Sequence, residues 1–402
     1  MRRPILGHAL HVLAAFVVSA ASVAQAQDKG TRADVYGFVM LDMGYQAKAN
    51  DPLWFDVVRP TKLPASDGQF GEDGHWFSGV RQSRLGVKTF TPTKLGELQT
   101  TFEFELFGVG VDAGQTTFRL RHAYGELGRF GAGQTWSPFM DIDVFPNSIE
   151  YWGPNGMVFF RNVQFRWMPI QGDTRLTVAL ERPGASGDQG NYSAEIEAEG
   201  VQARFPAPDL SAEYRRAIRR GYIEVAGIVR RIEWDDTVPG GADLSGETTG
   251  WGINVSSNIK LPRLHANDVA RLQFVYGEGI QNYMNDATVD IGVDDTGPVI
   301  EGVALPMFGF VAFFDHTWND KWTSSAGYSL LDIDNSSGQS ASAFHRGHYA
   351  LGNLLYYPVP RVMMGAEFQW GRRENNTDGF ESDDYRIQFS ARYNFSHSLG
   401  GQ

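Results

Sequence analysis

Basic side chains recur at even spacings in segments that otherwise alternate between apolar and polar residues: Arg84 with Lys88, Arg119 with Arg121, Arg166, and Arg386 with Arg392. Three acids, Asp141, Asp143 and Glu150, fall in one aromatic stretch from Trp136 to Pro154. Cations held opposite acids make no bonds, but they create a transverse field, and charged side chains around a constriction decide which ions pass. That chemistry requires both sets to face the same water. Bond-making chemistry is poorly served. His345 and His348 are three residues apart, which in a strand places them on opposite faces unless a bulge intervenes. With no Cys in the chain there is no thiolate nucleophile, thiolate metal site or disulfide framework. Asp332 to Gly338 lacks the downstream bidentate acid of a complete calcium loop, and Gly108, Gly110 and Gly114 precede no helix that would hold a phosphate. The sequence therefore predicts no catalytic residues, no metal and no cofactor.

The elements that would position these charges are strands. Tyr385, Ile387, Phe389, Ala391, Tyr393 and Phe395 alternate with Arg386, Gln388, Ser390, Arg392 and Asn394, a two-faced strand. Leu98, Thr100, Phe102, Phe104 and Leu106 likewise oppose Gln99, Thr101, Glu103 and Glu105. Carboxylates in mid-strand need water on their side of the sheet. Arginines or lysines on the other side would cost about 2–4 kcal/mol each at a bilayer midplane, so Arg84, Lys88, Arg119, Arg121 and Arg166 are assigned to a wet interior.

Sixteen such segments occur, near 33–45, 80–91, 96–107, 116–128, 131–136, 159–168, 173–182, 209–217, 221–234, 248–261, 267–282, 305–318, 322–333, 344–357, 361–371 and 383–396. Their connections alternate between tight, as at Thr91 to Lys94 and Asn319 to Lys321, and long, as at 46–79, 137–158 and 284–304. Tight turns on one side and long loops on the other are the habit of an outer-membrane barrel. The expected fold is all-β, a sixteen-stranded antiparallel transmembrane β-barrel, wide enough to keep a water-filled lumen.

Composition agrees. The chain has 402 residues, 35 Lys and Arg against 47 Asp and Glu for a net charge of −12, 46 Gly and 52 aromatic residues. An acidic balance without clustered bases argues against nucleic acid as a partner. Arg2 and Arg3, the apolar run Val12 to Val18, and Ala24-Gln25-Ala26 form a secretory leader with an A-x-A cleavage site. The domains are thus 1–26, a signal peptide, and 27–402, the barrel. Later apolar runs such as Met307 to Phe314 are too short for a helix to span a bilayer, so any crossing must use strands. The acids of 284–304 read either as ordinary solvation or, on the outside, as ligands for divalent cations that bridge lipopolysaccharide.

The segment 136–154 is too apolar to lie in water. It is predicted to fold inward as the third loop and to send Asp141, Asp143 and Glu150 into the pore, across from the arginines.

Tyr36-Gly37-Phe38, Arg81 to Gly86, Gly114 to Gly125, Gly133 to Ser137, Asp141 to Asn147 and Tyr151 to Pro154 together resemble the DcaP-like trimeric outer-membrane porins of proteobacteria. The block from Arg81 to about Arg166 carries most of the likeness; the remaining strands share mainly the pattern. The resemblance implies a homotrimer of sixteen-stranded barrels with an inward third loop, taking up small anionic solutes, dicarboxylates included. Two departures stand out: there is no N-terminal coiled-coil extension of the kind some members carry, and Phe395 is followed by Ser396 to Gln402. The reading is a passive outer-membrane channel, surrounded by lipid and lipopolysaccharide. Its rivals are an outer-membrane hydrolase, which needs a Ser–His pair at one rim, and a secreted carbohydrate-binding β protein.

Overall fold

The computed structural model describes residues 30–186, 201–236, 245–298 and 300–400. The leader assigned to 1–26 lies outside these residues. Twenty strand segments run in chain order: β1 (Arg32–Gln46), β2 (His75–Gly79), β3 (Arg84–Thr93), β4 (Gly96–Phe107), β5 (Thr116–Leu127), β6 (Phe130–Trp136), β7 (Arg161–Ile170), β8 (Arg175–Glu181), β9 (Val201–Arg204) and β10 (Asp209–Ile218). They continue with β11 (Gly221–Asp236), β12 (Gly246–Lys260), β13 (Val269–Glu278), β14 (Ile291–Asp294), β15 (Glu301–Ala304), β16 (Pro306–Asn319), β17 (Trp322–Ile333), β18 (Phe344–Tyr356), β19 (Val362–Asn375) and β20 (Glu381–Gly400).

β14 and β15 form a separate hairpin inside a loop. β2 and β3 both pair with β1, and β9 and β10 both pair with β11, so each couple is one interrupted stave. The other segments supply one stave each, which gives sixteen, all antiparallel. The ladder from Arg32 opposite Gly400 to Gln46 opposite Arg386 joins the last strand to the first and closes the barrel. Closure removes the two free edges an open sheet would have, as lying in hydrocarbon requires.

The pleat sorts the side chains as the sequence implies. Along β20, Tyr385, Ile387, Phe389 and Tyr393 are exposed outward while Arg386, Gln388 and Ser390 are buried within. Two-residue turns at 94–95, 128–129, 219–220 and 320–321 lie on the side of both chain ends. Two connections depart from the sorting: 261–268 is long for its side and 376–380 short for its own.

The lumen is not empty all round. Phe139, Met140, Val144, Met157 and Val158 of loop 137–160 pack with Ile280, Tyr283 and Met284 of the connection after β13, against Val275, Val311, Leu331 and Tyr349 of the wall. This explains Met307 to Phe314: β16 is apolar on both faces because its inner face is covered by loops, so it reads as a buried strand rather than an alternating one. The loops fill one side of the barrel, and the polar wall lies along β3 to β8.

Candidate pore constriction

Loop 137–160 does fold inward, and its acids hold it there. Asp141 is fully buried: it accepts hydrogen bonds from Arg215 Nη2 at 2.6 Å, Tyr222 Oη at 2.7 Å and Ser256 Oγ at 2.6 Å. Glu150 is buried too, accepting from the Val58 backbone N–H at 3.3 Å, the Gly153 N–H at 2.5 Å and Tyr349 Oη at 3.2 Å. Burial pushes its carboxyl up to about 7. The expectation that all three acids project into the pore is corrected here. A carboxylate in an aromatic loop pressed on a wall must find donors in that wall, and the first and last of the three do so. Asp143 keeps its side chain 48% exposed while meeting Arg215 Nη1 at 2.5 Å.

The first loop and the β13–β16 connection reinforce the third. Arg59 lies over the rings of Trp54 and Trp152, 4.1 and 4.0 Å from their centroids, and its Nε is 2.8 Å from Asp286. Trp152 Nε1 donates to the Asn285 carbonyl at 2.8 Å. Arg230, buried, reaches Asp209 at 3.0 Å and Asp290 at 2.8 Å.

Across the lumen the arginines gather round two glutamates. Arg121 spans Glu103 and Glu105, 2.7 Å from each. Arg84 lies 3.7 and 3.2 Å from the same pair, and Arg119 and Arg161 lie 3.7 and 3.9 Å from Glu105. Tyr36 Oη donates to Glu103 at 2.7 Å, and Tyr151 Oη donates to Glu105. Four guanidinium groups thus share two carboxylates. Arg166 has no carboxylate within 4 Å among the described residues; it donates to Gln164 Oε1 at 2.7 Å and the Trp136 carbonyl at 2.5 Å. Lys88 is exposed and equally without a carboxylate, its Nζ 5.4 Å from the Tyr36 ring centroid. Further round the wall, on β8 and β10, the proportions reverse. Arg175 and Arg215 serve Asp141, Asp143, Glu213 and Glu224.

Two cavities of about 520 and 340 Å³ lie between these groups and share Glu126, Trp136, Ile142 and Arg166. Lys88 and Arg121 line the larger, Arg175 and Glu213 the smaller. Ile142 brings the edge of the third loop to both.

Alternation located Arg84, Lys88, Arg119, Arg121 and Arg166 on this wall. It missed His122, because β5 carries a bulge: Glu103 pairs with His122 while Phe104 pairs with Leu120. The extra residue puts the adjacent Arg121 and His122 both inside, with His122 Nδ1 3.0 Å from Thr135 Oγ1. Downstream, Tyr124 and Glu126 line the cavity instead of meeting lipid. Arg161 was missed because it opens β7, where the loop rather than the pleat sets its direction. Arg386 is inside but sealed beneath the first loop, donating to the Asp56 carbonyl at 2.5 Å and stacked 3.9 Å from the Phe77 centroid. Arg392 lies 5.5 Å from the Phe38 centroid. The weak calcium motif is resolved otherwise, since Asp332 pairs with Arg346. His345 bonds the Ile333 carbonyl and His348 bonds Tyr328 and Glu374, so the two do not act together.

A family model described as DcaP outer membrane protein matches residues 29–395. Among solved structures, the outer membrane channel DcaP of Acinetobacter baumannii superposes with a TM-score of 0.77 at 22% identity, covering 92% of this chain and 99% of that one. OmpT, an outer membrane protein of Vibrio cholerae, gives 0.56 at 14%, covering 92% and 99%. An anion-selective porin from Comamonas acidovorans gives 0.57 at 11%, covering 91% and 100%. At these identities the likeness is one of fold. A sequence comparison with curated proteins returns no match.

Proposed function

This chain belongs to the DcaP outer membrane protein family and is an outer-membrane channel rather than an enzyme, and we propose that it passes small hydrophilic solutes by diffusion with a preference for anions, dicarboxylates among them. The observation that carries this reading is the surplus of arginine around Glu103 and Glu105, extended by Lys88 and Arg166, which have no acid of their own among the described residues. A solute anion entering the larger cavity supplies the missing negative charge, with Arg84, Lys88, Arg121 and Arg166 lining its path and Arg119 behind them beside Glu105. Asp143, Glu213 and Glu224 lie beside this wall rather than within it, so the field is uneven round the passage and orients a solute with separated charges. The groups are partly hydrated, so attraction stays weak enough for release.

The test is the reversal potential of the channel in a planar bilayer under a potassium chloride gradient. Chloride should permeate more readily than potassium, and the double substitution Lys88→Ala with Arg166→Ala should diminish that preference. A cation-preferring wild type, or a double variant with unchanged selectivity, overturns the assignment.

We further propose a homotrimer. Its support is an outward cluster of Phe102, Phe104 and Phe118, edge to face at 5.2 and 5.6 Å, on the neighbouring β4 and β5. Aromatic pairs gain about 0.5–1.5 kcal/mol beyond their buried area, which rings of a second copy supply and acyl chains do not. Unboiled gel migration of Phe118→Ser against wild type tests it. The leader 1–26 is proposed to be removed on export, which the mass of the mature protein measures.

A further inference from the structure

The interruption between β9 and β10 opens a feature unrelated to the lumen. Phe205-Pro206-Ala207-Pro208 separates the two segments. Proline has no N–H to donate to a ladder, so the sheet parts here. β8 pairs with β10 from Asp209 opposite Glu181 downward, and β9 pairs only with the far end of β11. The result is an apolar groove of about 420 Å³ lined by Val163, Phe165, Leu180, Pro183, Phe205 and Pro208. It opens on the lipid-facing side: Val163, Phe165 and Leu180 are 43, 52 and 49% exposed there. Arg182 also lines it, two residues beyond Leu180 and so on the same face, at the end of β8 that leads into the long 182–208 connection. Its side chain is exposed, and no carboxylate lies within 4 Å of it among the described residues.

We propose that this groove holds one acyl chain of a phosphorylated glycolipid of the outer leaflet, with the lipid phosphate on Arg182. The long connections mark the external side, where the outer leaflet carries phosphates at the depth of the strand ends. An exposed guanidinium there, with no acid within 4 Å among the described residues, complements such a phosphate, and a guanidinium forms bidentate bonds to one. The apolar lining beside it, Val163, Phe165 and Leu180, faces the lipid. Phe165 and Phe205 line the groove, and the two prolines keep it from being filled by a continuous ladder.

The test uses the full mature protein in nanodiscs containing diphosphorylated lipid A with a photoreactive diazirine on an acyl chain, and phosphatidylcholine with the same group as a zwitterionic control. Lipid A should label peptides covering 163–165 and 205–208 about fivefold above the other outward-facing peptides, the scale that one basic residue provides at an anionic lipid surface. Arg182→Glu should lower that label to the phosphatidylcholine level, and Ala207→Trp, which fills the groove from an exposed position, should abolish it. Each variant is first checked for folded, heat-modifiable migration. Labelling spread evenly round the barrel, equal labelling by both lipids that ignores Arg182→Glu, or cross-links from these peptides to a second copy of the chain would each overturn the proposal.

Discussion

The Asp141 carboxylate and the Arg215 guanidinium meet at 2.6 Å with both residues buried, and they fasten the start of the third loop to the wall. Arg215 also meets Asp143 and Glu224, so losing Asp141 costs less than the figure of about 3–5 kcal/mol for leaving a buried partner with no counter-charge. Asp141→Ala, which also takes the acceptor from Tyr222 and Ser256, should release that end of the loop. The expected result is a larger and noisier single-channel conductance, with little change in the amount of folded barrel, because the sixteen-stave ladder does not pass through Asp141.

Arg59, between Trp54 and Trp152 and paired with Asp286, joins three loops at one point. A desolvated cation over an aromatic face contributes about 2 kcal/mol, and here the ion pair adds to it. Arg59→Ala should lower the temperature at which the folded gel band converts to the unfolded one, while selectivity remains that of wild type. Arg59→Lys should restore only part of the loss, since an ammonium stacks less well than a planar guanidinium.

Arg121 and Arg166 face the same cavity but differ in their partners. Arg121→Ala strips the closest counter-charge from Glu103 and Glu105 and should reduce the yield of folded protein. Arg166→Ala leaves no acid unpaired; it should keep wild-type thermal stability and lose part of the anion preference. Thermal conversion and reversal potential, measured on both variants, separate the two roles.

The anion preference itself should fade with salt. Screening lengths fall from about 10 Å at 0.1 M to about 3 Å at 1 M, which is short against the width of a cavity of about 520 Å³. Reversal potentials taken at a fixed concentration ratio should thus show weaker selectivity at molar salt, while a preference due to pore size alone would not change.

Glu150 supplies a pH test. Its carboxyl is raised to about 7 from 4.5 by burial, so the folded state holds its proton more firmly than the unfolded chain does. A group of this kind favours the folded state most fully below pH 4.5, and that contribution is lost as pH rises to about 7. Thermal conversion temperatures for wild type minus Glu150→Gln should decline over that interval and level off above it.

Much of this architecture was legible in the residues. The count of sixteen staves came from period-two alternation, and the inward fold of the third loop came from the mismatch between its aromatic content and the water it would otherwise meet. The cationic wall followed from the cost of placing Arg84 or Arg166 in hydrocarbon. The roles of the loop acids did not follow, because whether Asp141 meets solvent or Arg215 depends on contacts 74 residues apart in the chain. The loop-filled side escaped notice for a related reason: an apolar inner face on β16 is a tertiary fact, set by what covers it. His122, Tyr124 and Glu126 were hidden by a single extra residue, which no composition signal marks.

That extra residue makes β5 unusually sensitive to its reading frame. Deleting Leu120 or inserting one alanine beside it would rotate half the stave by one pleat, carrying either Arg119 or Glu126 out onto oil while Phe118 or Ala123 turned toward water. Substitutions at this place are local events; length changes are not. Members of the family that keep a cation at both Arg119 and Arg121 ahead of a polar Tyr124 and Glu126 must therefore also keep the spacing between them, whatever else in the wall they exchange.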